Sequence, residues 1–301
     1  MKKIVVVGSL NMDSVVETGH MPKPGETIAG RQVTLIPGGK GANQAYAIGK
    51  LGGCVSMIGA VGNDAFGKAL KRSLNRVGVD TTFVFTMPGE TTGQAFITVD
   101  DQGENSIIII AGTNGKVNET LIQDCMQCIS DSDIIVMQME IPQKTIRFVK
   151  KLACSMGKTV ILDPAPAIAG LEDEFWQGID YLKPNETELE ILTGRKIDSE
   201  KEMVEGARSL IDKGVRTVII TMGSKGCLCV TEDSVEKYPI HACQAVDTTA
   251  AGDSFTGAFA LALSEGKDCR EAIKFGQKVS AVVVTRKGAQ TSIPSRNELE
   301  E

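Results

Sequence analysis

Short aliphatic runs that alternate with helical patterns constrain this chain more than any other feature. Strand-like runs occur at 4–7, 55–58, 134–137, 160–162, 218–221 and 228–230. Stretches with helical spacing lie between them, at 42–51, 66–77, 119–129, 143–155, 200–213, 252–264 and 270–285. Continuous Val, Ile and Leu runs are typical of parallel strands that are buried on both faces. The alternation therefore predicts an α/β protein with an open, mostly parallel sheet flanked by helices.

Two segments, approximately 14–35 and 91–111, interrupt this alternation because they resemble strands without helices. In the second segment, the runs 92–99 and 106–110 flank a polar turn, as in a hairpin. We expect both segments to form a small sheet inserted in a single domain that spans residues 1–301. Such a sheet would act as a lid over a ligand site. It would also serve as a flap through which two subunits form a homodimer, since pairing removes an exposed strand edge.

Charge and hydropathy exclude several classes of protein. The formal net charge is −6 and no long basic run occurs, so we expect no nucleic-acid partner. No apolar stretch approaches the roughly 18 residues of a membrane helix, so we expect no membrane partner. The apolar run that follows Lys2 and Lys3 is too short for a signal peptide. These features predict a cytoplasmic protein whose eight cysteines stay reduced.

The cysteines and histidines show no pattern typical of a metal or catalytic centre. Cys125 and Cys128 form one C-x-x-C pair inside a predicted helix, without a second pair or a nearby pair of histidines. The two histidines, His20 and His241, lie far apart in the sequence. We therefore expect no histidine triad and assign no role to the C-x-x-C pair.

Glycine-rich loops open two of the predicted helices. The first, Gly-Gly-Lys-Gly-Ala-Asn-Gln, would place Asn43 in the first helical turn. In the second, the small residues Ala250, Ala251 and Gly252 would leave backbone amides open to an anion at a helix N-terminus. A carboxylate in that position, Asp253, suits phosphoryl transfer to an alcohol, because it can take the hydroxyl proton. The alternative is ordinary helix punctuation, with an acidic residue that complements the helix dipole.

The sequence has two more polar loops. Asn-Glu-Thr-Glu at 185–188 precedes a predicted helix, and Thr-Met-Gly-Ser-Lys-Gly at 221–226 follows a predicted strand. Polar residues at the carboxyl ends of strands line the crevice where open α/β sheets bind ligands. The sequence lacks the Walker A, G-x-G-x-x-G and G-x-S-x-G motifs. A P-loop nucleotidase, a Rossmann dehydrogenase and an α/β-hydrolase therefore lose support.

With these loops in this order, the sequence resembles the ribokinase/PfkB family of sugar kinases. The resemblance extends from Val7 to Gln290, and its two main motifs are D-T-T-A-A-G-D-S-F-T-G-A at 247–258 and the first glycine-rich loop. It implies ATP-dependent phosphorylation of D-ribose at the 5-hydroxyl. Asp253 would be the general base, and Ala250, Ala251 and Gly252 would form the anion hole.

The resemblance also implies which residues bind each ligand. The sugar would contact Asn11, Asp13, Gly39, Lys40, Gly41, Asn43, Glu140 and Asp253. ATP would contact Asn185, Glu188, Thr221, Gly223, Ser224, Lys225, Gly226, Gly252 and Gln277, the last standing where some relatives carry His. Mg²⁺ is associated in the family with Asn185 and Glu188, through bound water. K⁺ would be held by oxygens of Asp247, Thr249, Val283, Arg286, Gly288 and Ser292.

Other functions remain open from the sequence. The first is a kinase for 2-deoxyribose or another sugar, for which Asp13 discriminates, because a deoxy sugar would leave its carboxylate without a partner. A nucleoside kinase is disfavoured by a lid region poor in aromatic residues. A non-catalytic ribose sensor is the alternative from another class, but a sensor needs neither Asp253 nor the anion hole.

Overall fold

The computed structural model describes residues 2–240 and 244–299, so His241 and Cys243 lie outside the described residues. The strands are β1 (Ile4–Val7), β2 (Asn11–Glu17), β3 (Gln32–Gly38), β4 (Val55–Gly62), β5 (Val84–Met87), β6 (Gly93–Val99), β7 (Asn105–Ile110), β8 (Ile134–Gln138), β9 (Thr159–Asp163), β10 (Ile179–Leu182), β11 (Val215–Thr221), β12 (Cys227–Val230) and β13 (Val235–Tyr238). The helices are α1 (Lys40–Lys50), α2 (Ala65–Arg76), α3 (Glu119–Gln123), α4 (Met126–Asp131), α5 (Gln143–Ser155), α6 (Glu186–Thr193), α7 (Glu200–Ile211), α8 (Ala251–Ser264) and α9 (Cys269–Val283).

Nine strands form the main sheet, in the order β13-β12-β11-β10-β9-β8-β1-β4-β5. Neighbouring strands are parallel except for the antiparallel pairs β11–β12 and β12–β13. The central strand β1 is buried on both faces, and its side chains alternate between two cores. Ile4 and Val6 pack with residues of α1, α2, α8 and α9, whereas Val5 and Val7 pack with residues of α3 to α7. The predicted open α/β sheet with helices on both faces is confirmed.

A second sheet has the order β3-β2-β6-β7, and we call these four strands the small sheet. Its β6–β7 hairpin confirms the one predicted around 92–110. Strand β2 begins at Asn11, earlier than the predicted boundary at residue 14, and runs parallel to β6. The glycine-rich loop follows directly from β3, so the small sheet and α1 are joined next to the carboxyl end of β1.

The predicted single helix over 119–129 is wrong, because the structure has two short helices there, α3 and α4. The thiol of Cys125 donates to the carbonyl of Leu121, the acceptor that an uninterrupted helix would offer to the Cys125 amide. That amide instead donates to Ile122, three residues back, at 2.9 Å. Burial raises the pKa of Cys125 to about 12 and that of Cys128 to about 11, so neither thiol ionises readily. Among the residues described, no helix is long and apolar enough to span a bilayer.

Candidate active site

Three polar side chains meet where strands β8, β9 and β10 end. The strand register sets Gln138 beside Asp163, and the amide of Lys183 donates to the carbonyl of Leu162 at 3.0 Å. The Lys183 Nζ lies 3.1 Å from Asp163 Oδ2, and these two side chains are only 7% and 2% exposed. A buried ion pair therefore occupies the carboxyl edge of the sheet, where this class of fold binds ligands.

Helix α8 begins beside this ion pair, from an unusual backbone conformation. Ala250 is the one non-glycine residue with a positive φ in the described chain, at 59°. Among residues 2–240 and 244–299, the amides of Gly252 and Asp253 find no hydrogen-bond partner, as the predicted anion hole requires. The prediction is wrong for Ala251, whose amide closes the turn by donating to the Thr248 carbonyl at 3.2 Å. A Cβ placed on Gly252 would lie 3.3 Å from Lys183 Nζ, so a cation stands next to the open amides.

Asp253 lies in the first turn of α8 and is almost fully buried, at 7% exposure. Asn43 Nδ2 donates to its Oδ2 at 3.0 Å, and Gln44 Nε2 donates to its Oδ1 at 3.2 Å. Both donors belong to the first turns of α1, directly after the glycine-rich loop. Two helices from opposite ends of the sequence thus fix the orientation of one carboxylate.

A cavity of about 590 Å³ opens over the N-terminus of α8. It brings together most of the residues predicted to bind ATP. Those lining it are Asn185, Glu188, Thr221, Gly223, Ser224, Gly226, Gly252 and Gln277, together with Lys40, Ala250, Ala251 and Asp253. Lys225 does not line this cavity; its Nζ lies 3.7 Å from Glu186 Oε1, and its side chain is 72% exposed.

The walls of the cavity are held by local hydrogen bonds. Asn185 and Glu188 form a reciprocal capping box at the start of α6, at 2.7 and 2.8 Å. The Thr221 amide donates to Pro184 at 2.9 Å and so joins the two polar loops. Gln277 Nε2 donates to the Tyr238 carbonyl at 2.7 Å. Its amide group is therefore already engaged on the side facing β13.

Most of the residues predicted to bind a sugar lie on β2, at the start of α1 and just after β8, and we call this part of the site its sugar side. Asn11 is buried at 3% exposure, and its Oδ1 accepts from Asn114 Nδ2 at 2.7 Å. Gly39 has a φ of 88°, and a Cβ there would come within 2.6 Å of the Asn11 amide. A Cβ on Gly41 would come equally close, at 2.6 Å, to the amide of Ser9. The glycines therefore allow the loop to pack directly against β2, which only a residue without a side chain permits.

Like charges crowd this sugar side of the site. Burial, reinforced by the charges of Glu140 and Asp253, raises the pKa of Asp13 to about 7. Burial also raises the pKa of Glu140, whose Oε2 accepts from the Lys40 amide at 3.0 Å and from the Ser9 hydroxyl. Burial lowers the pKa of Lys40, but the surrounding carboxylates outweigh this effect and raise it. The result is a polar cluster with directional donors and acceptors, which suits recognition of a polyol.

The loop predicted to hold K⁺ folds against the end of α9. Asp247 accepts from the Thr249 amide at 2.9 Å and from the Gly288 amide at 2.8 Å. Burial raises the pKa of this carboxyl, but those hydrogen bonds outweigh burial and lower it. Among the other predicted ligands, Ser292 is fully buried. The Arg286 guanidinium lies 2.8 Å from Glu298 and leaves only backbone oxygen for an ion.

The sequence prediction missed three residues of this site: Gln44, Asp163 and Lys183. Gln44 and Lys183 stand inside motifs that were recognised, next to residues that were chosen. Asp163 ends a predicted strand at the ligand-binding edge of the sheet, and that position was the available signal. Nothing in the sequence indicates that Gln44 contacts two carboxylates, because this depends on how α1 and α8 pack.

Residues 1–296 match the pfkB family of carbohydrate kinases. The chain belongs to this family. Among curated pfkB-type relatives, the ribokinase of Haemophilus influenzae is 43% identical over 99% of this chain and 97% of its own. A deoxyribokinase of Salmonella typhi is 39% identical over 99% of this chain and 97% of its own.

Solved structures of ribokinases superimpose along the whole chain. The ribokinase of Arabidopsis thaliana complexed with ribose and ATP has a TM-score of 0.93 and 36% identity, over 99% of this chain and 97% of its own. The ribokinase of Thermotoga maritima has a TM-score of 0.91 and 41% identity, over 100% of this chain and 98% of its own. The protein is therefore a sugar kinase of the pfkB fold.

Proposed function

We propose that this protein transfers the γ-phosphoryl group of ATP to the 5-hydroxyl of D-ribose, giving D-ribose 5-phosphate and ADP. One observation carries the proposal: the buried Asp253 carboxylate lines the cavity over α8 together with Lys40, and it lies close enough to Asp13 and Lys40 for its charge to shift the pKa of both. Support for ribose comes from the ribokinases at 43% and 36% identity, one of them complexed with ribose and ATP.

In this mechanism Asp253 takes the proton of the 5-hydroxyl as the oxygen attacks phosphorus. Each carboxylate oxygen accepts one hydrogen bond from α1 and keeps capacity for another, so one can face the substrate. The open amides of Gly252 and Asp253 stabilise charge on the transferred group, together with the positive end of the α8 dipole. Lys183 Nζ lies beside these amides and adds a positive charge.

The side chains of Asn11, Asp13, Asn43 and Glu140 would bind the sugar hydroxyls. Lys40 and the backbone of Gly39 and Gly41 would complete the binding site. Asn114 orients the Asn11 side chain, since it donates to Oδ1 at 2.7 Å. The small sheet would act as a lid over the bound sugar. By closing the site it would exclude water and so limit hydrolysis of ATP.

The residues present fit a Mg²⁺ ion. Asp163 Oδ1 is buried and has no partner in the described chain, and Glu188 uses only its Oε2 in the capping box. Both residues line the cavity, and hard divalent cations prefer carboxylate oxygen and water. When bound, Mg²⁺ would neutralise charge on the phosphate oxygens.

The loop of Asp247 and Thr249 fits a monovalent cation such as K⁺, because an ionised carboxylate and backbone carbonyls are all oxygen donors. Asp247 uses two of its roughly four acceptor positions on Thr249 and Gly288. The remaining donors would be Val283, Arg286, Gly288 and Ser292, mainly through carbonyl oxygen. A cation there would stabilise the turn that leads to Ala250 and the open amides.

Replacing K⁺ with Na⁺ is expected to lower kcat, since the smaller ion would fit this set of carbonyls less well. The measurement is the initial rate of ADP release at constant ionic strength in each chloride salt. Asp247→Ala is expected to remove the difference between the cations. Equal rates of the unmodified protein in both salts would contradict the proposed site.

Ribose affinity is expected to rise with pH, because the Asp13 carboxylate accepts hydrogen bonds from the sugar hydroxyls best when it is ionised. Its pKa of about 7 means that the empty site carries a proton at pH 6 and has lost it at pH 8. Titration calorimetry should show about tenfold tighter binding at pH 8 than at pH 6. Asp13→Asn should bind more weakly and without this slope, whereas a flat profile in the unmodified protein would contradict the assignment.

Large exposed apolar side chains concentrate on the small sheet, and this supports a homodimer. They include Val33 at 63% and Ile108 at 65% exposure, and the full set is Val33, Leu35, Phe96, Ile107, Ile108, Ile109 and Ile110. Strand β7 is one of the two outer strands, so its free edge can pair with a strand of another chain. A second copy is the occupant we propose, because the same apolar face on both subunits can close around a two-fold axis.

Sedimentation velocity should show a dimer at micromolar concentration, and Ile108→Asp should shift it to a monomer by placing a charge in the interface. Ile191→Asp is the matched control, since Ile191 is exposed but lies on α6, away from the small sheet. A monomeric unmodified protein, or equal effects of the two variants, would overturn the proposal.

The function itself is tested by ADP release from ATP in the presence of Mg²⁺ and K⁺, with ribose, 2-deoxyribose, fructose, adenosine or no acceptor. We expect ribose to give the highest kcat/KM. A preference for 2-deoxyribose would favour the second candidate, which the relative named deoxyribokinase supports. Ribose binding without turnover would instead indicate a sensor. As a consumer of ATP, the enzyme would act in the cytoplasm.

A further inference from the structure

Gln44 contacts two acidic side chains, and the sequence predicted no role for it. It is fully buried, at 0% exposure, so it cannot touch a substrate. Its Nε2 donates to Asp253 Oδ1 at 3.2 Å and to Asp163 Oδ2 at 2.9 Å. A side-chain amide nitrogen carries two hydrogens, so this nitrogen is fully used by the two carboxylates.

The orientation of this amide is determined by its third partner. Gln44 Oε1 accepts from Gln138 Nε2 at 2.6 Å. Rotating the Gln44 amide by 180° would place its oxygen against the two carboxylates and its nitrogen against Gln138 Nε2. All three hydrogen bonds of the amide would then be lost. Gln138 is itself confined, because its Oε1 occupies the space where a Cβ on Gly8 would lie, only 2.0 Å away.

The same contacts tie Asp253 to the floor of the cavity. Asp163 Oδ2 accepts from Gln44, from Lys183 Nζ at 3.1 Å and, weakly, from Thr256 at 3.4 Å. One oxygen of the Asp253 carboxylate is therefore connected through Gln44 to the buried ion pair of Asp163, at the end of β9, and Lys183, just after β10. Asn43 holds the other oxygen.

We propose that Gln44, oriented by Gln138, is the positioning residue of Asp253 and holds the carboxylate in the direction needed to receive the 5-hydroxyl proton. This inference rests on the proposed function, since it concerns the geometry of the proposed base. Without Gln44, Asp253 Oδ1 has no donor within the described residues, and the carboxylate can rotate about its side-chain torsions. A small misplacement of a reacting group lowers the rate much more than it lowers substrate affinity.

The test is Gln44→Met, which keeps the length of the side chain and removes both donors. We expect kcat to fall by about 10- to 100-fold, while the dissociation constants of ribose and ATP change by less than about threefold. Thr145→Val in α5 is the matched control: it removes a buried hydrogen bond of 2.7 Å to the Val117 carbonyl and should leave kcat unchanged.

A double variant shows whether Gln44 acts through Asp253. On top of Asp253→Asn, Gln44→Met should change kcat by less than about twofold, because the residue that it positions is already lost. Should Gln44→Met fail to fold, Gln138→Met tests the same chain of contacts and should lower kcat with unchanged ribose binding.

Each outcome supports or overturns the inference. Full kcat in Gln44→Met, or equal losses in kcat and ribose affinity, would overturn the positioning role while the kinase assignment stands. For Gln138→Met, full kcat would count against the role in the same way. An unmodified protein without ATP turnover on any sugar would overturn the proposed function, and the role of Gln44 with it.

Discussion

Asp253→Asn is expected to lower kcat by roughly 10²- to 10⁴-fold, the usual contribution of a general base. The substitution preserves the shape of the side chain in the first turn of α8 but removes its ability to take a proton. Ribose and ATP should still bind, with dissociation constants within about fivefold of the unmodified protein. Steady-state kinetics and calorimetry measure the two quantities separately.

A second Asp→Asn change provides the control for this prediction. Asp268 caps α9 in a capping box with Glu271, far from the cavity, and Asn is an equally good N-cap. Asp268→Asn should therefore retain full activity. Turnover of Asp253→Asn within about threefold of the unmodified protein would remove Asp253 as the base.

Lys183→Met is expected to destabilise the fold by about 3–5 kcal/mol, because it leaves the Asp163 carboxylate buried without its cation. The ion pair is nearly inaccessible to solvent, at 7% and 2% exposure. Burial already raises the pKa of Asp163, and Lys183 is the main group that opposes this effect. Urea denaturation followed by far-ultraviolet circular dichroism gives the free energy of unfolding.

Two variants bracket this result. Lys213→Met breaks an exposed ion pair with Asp173, at 38% and 75% exposure, and should cost no more than about 1 kcal/mol. Adding Asp163→Asn to Lys183→Met should restore part of the lost stability, since the uncompensated charge is gone. Equal losses for Lys183→Met and Lys213→Met would contradict the view of a buried, desolvated pair.

Much of the fold follows from local patterns in the sequence. The strands buried on both faces, β1 and β8 among them, are continuous aliphatic runs, and these were recognised. Strands β5, β10 and β13 were missed because each is only four residues long and has at least two residues that are exposed or partly buried. The break between α3 and α4 was missed because helical spacing does not encode the place where a backbone hydrogen bond shortens, and here the Cys125 amide donates to Ile122, three residues back.

In the candidate site too, the sequence indicates local motifs but not contacts between residues that are far apart in the chain. Asp253, Asn43 and the polar loops could be proposed from the sequence because each stands in a contiguous motif at the start of a helix or the end of a strand. The carboxylate pair bridged by Gln44 was not found, since Asp163 and Asp253 lie 119 and 209 residues from Gln44 in the sequence. The Ala251 amide was assigned to the anion hole, although the turn that orders the loop uses it.

The central claim is transfer of a phosphoryl group from ATP to the 5-hydroxyl of ribose, and phosphorus NMR of the product tests it most directly. The protein would be incubated with ATP, Mg²⁺, K⁺ and D-ribose, and the proton-coupled ³¹P spectrum recorded. A phosphomonoester on C5 is split into a triplet by the two H5 protons, and this is the result that we predict. A doublet would place the phosphate on a carbon bearing one proton, and inorganic phosphate alone would mean hydrolysis; either result would contradict the claim.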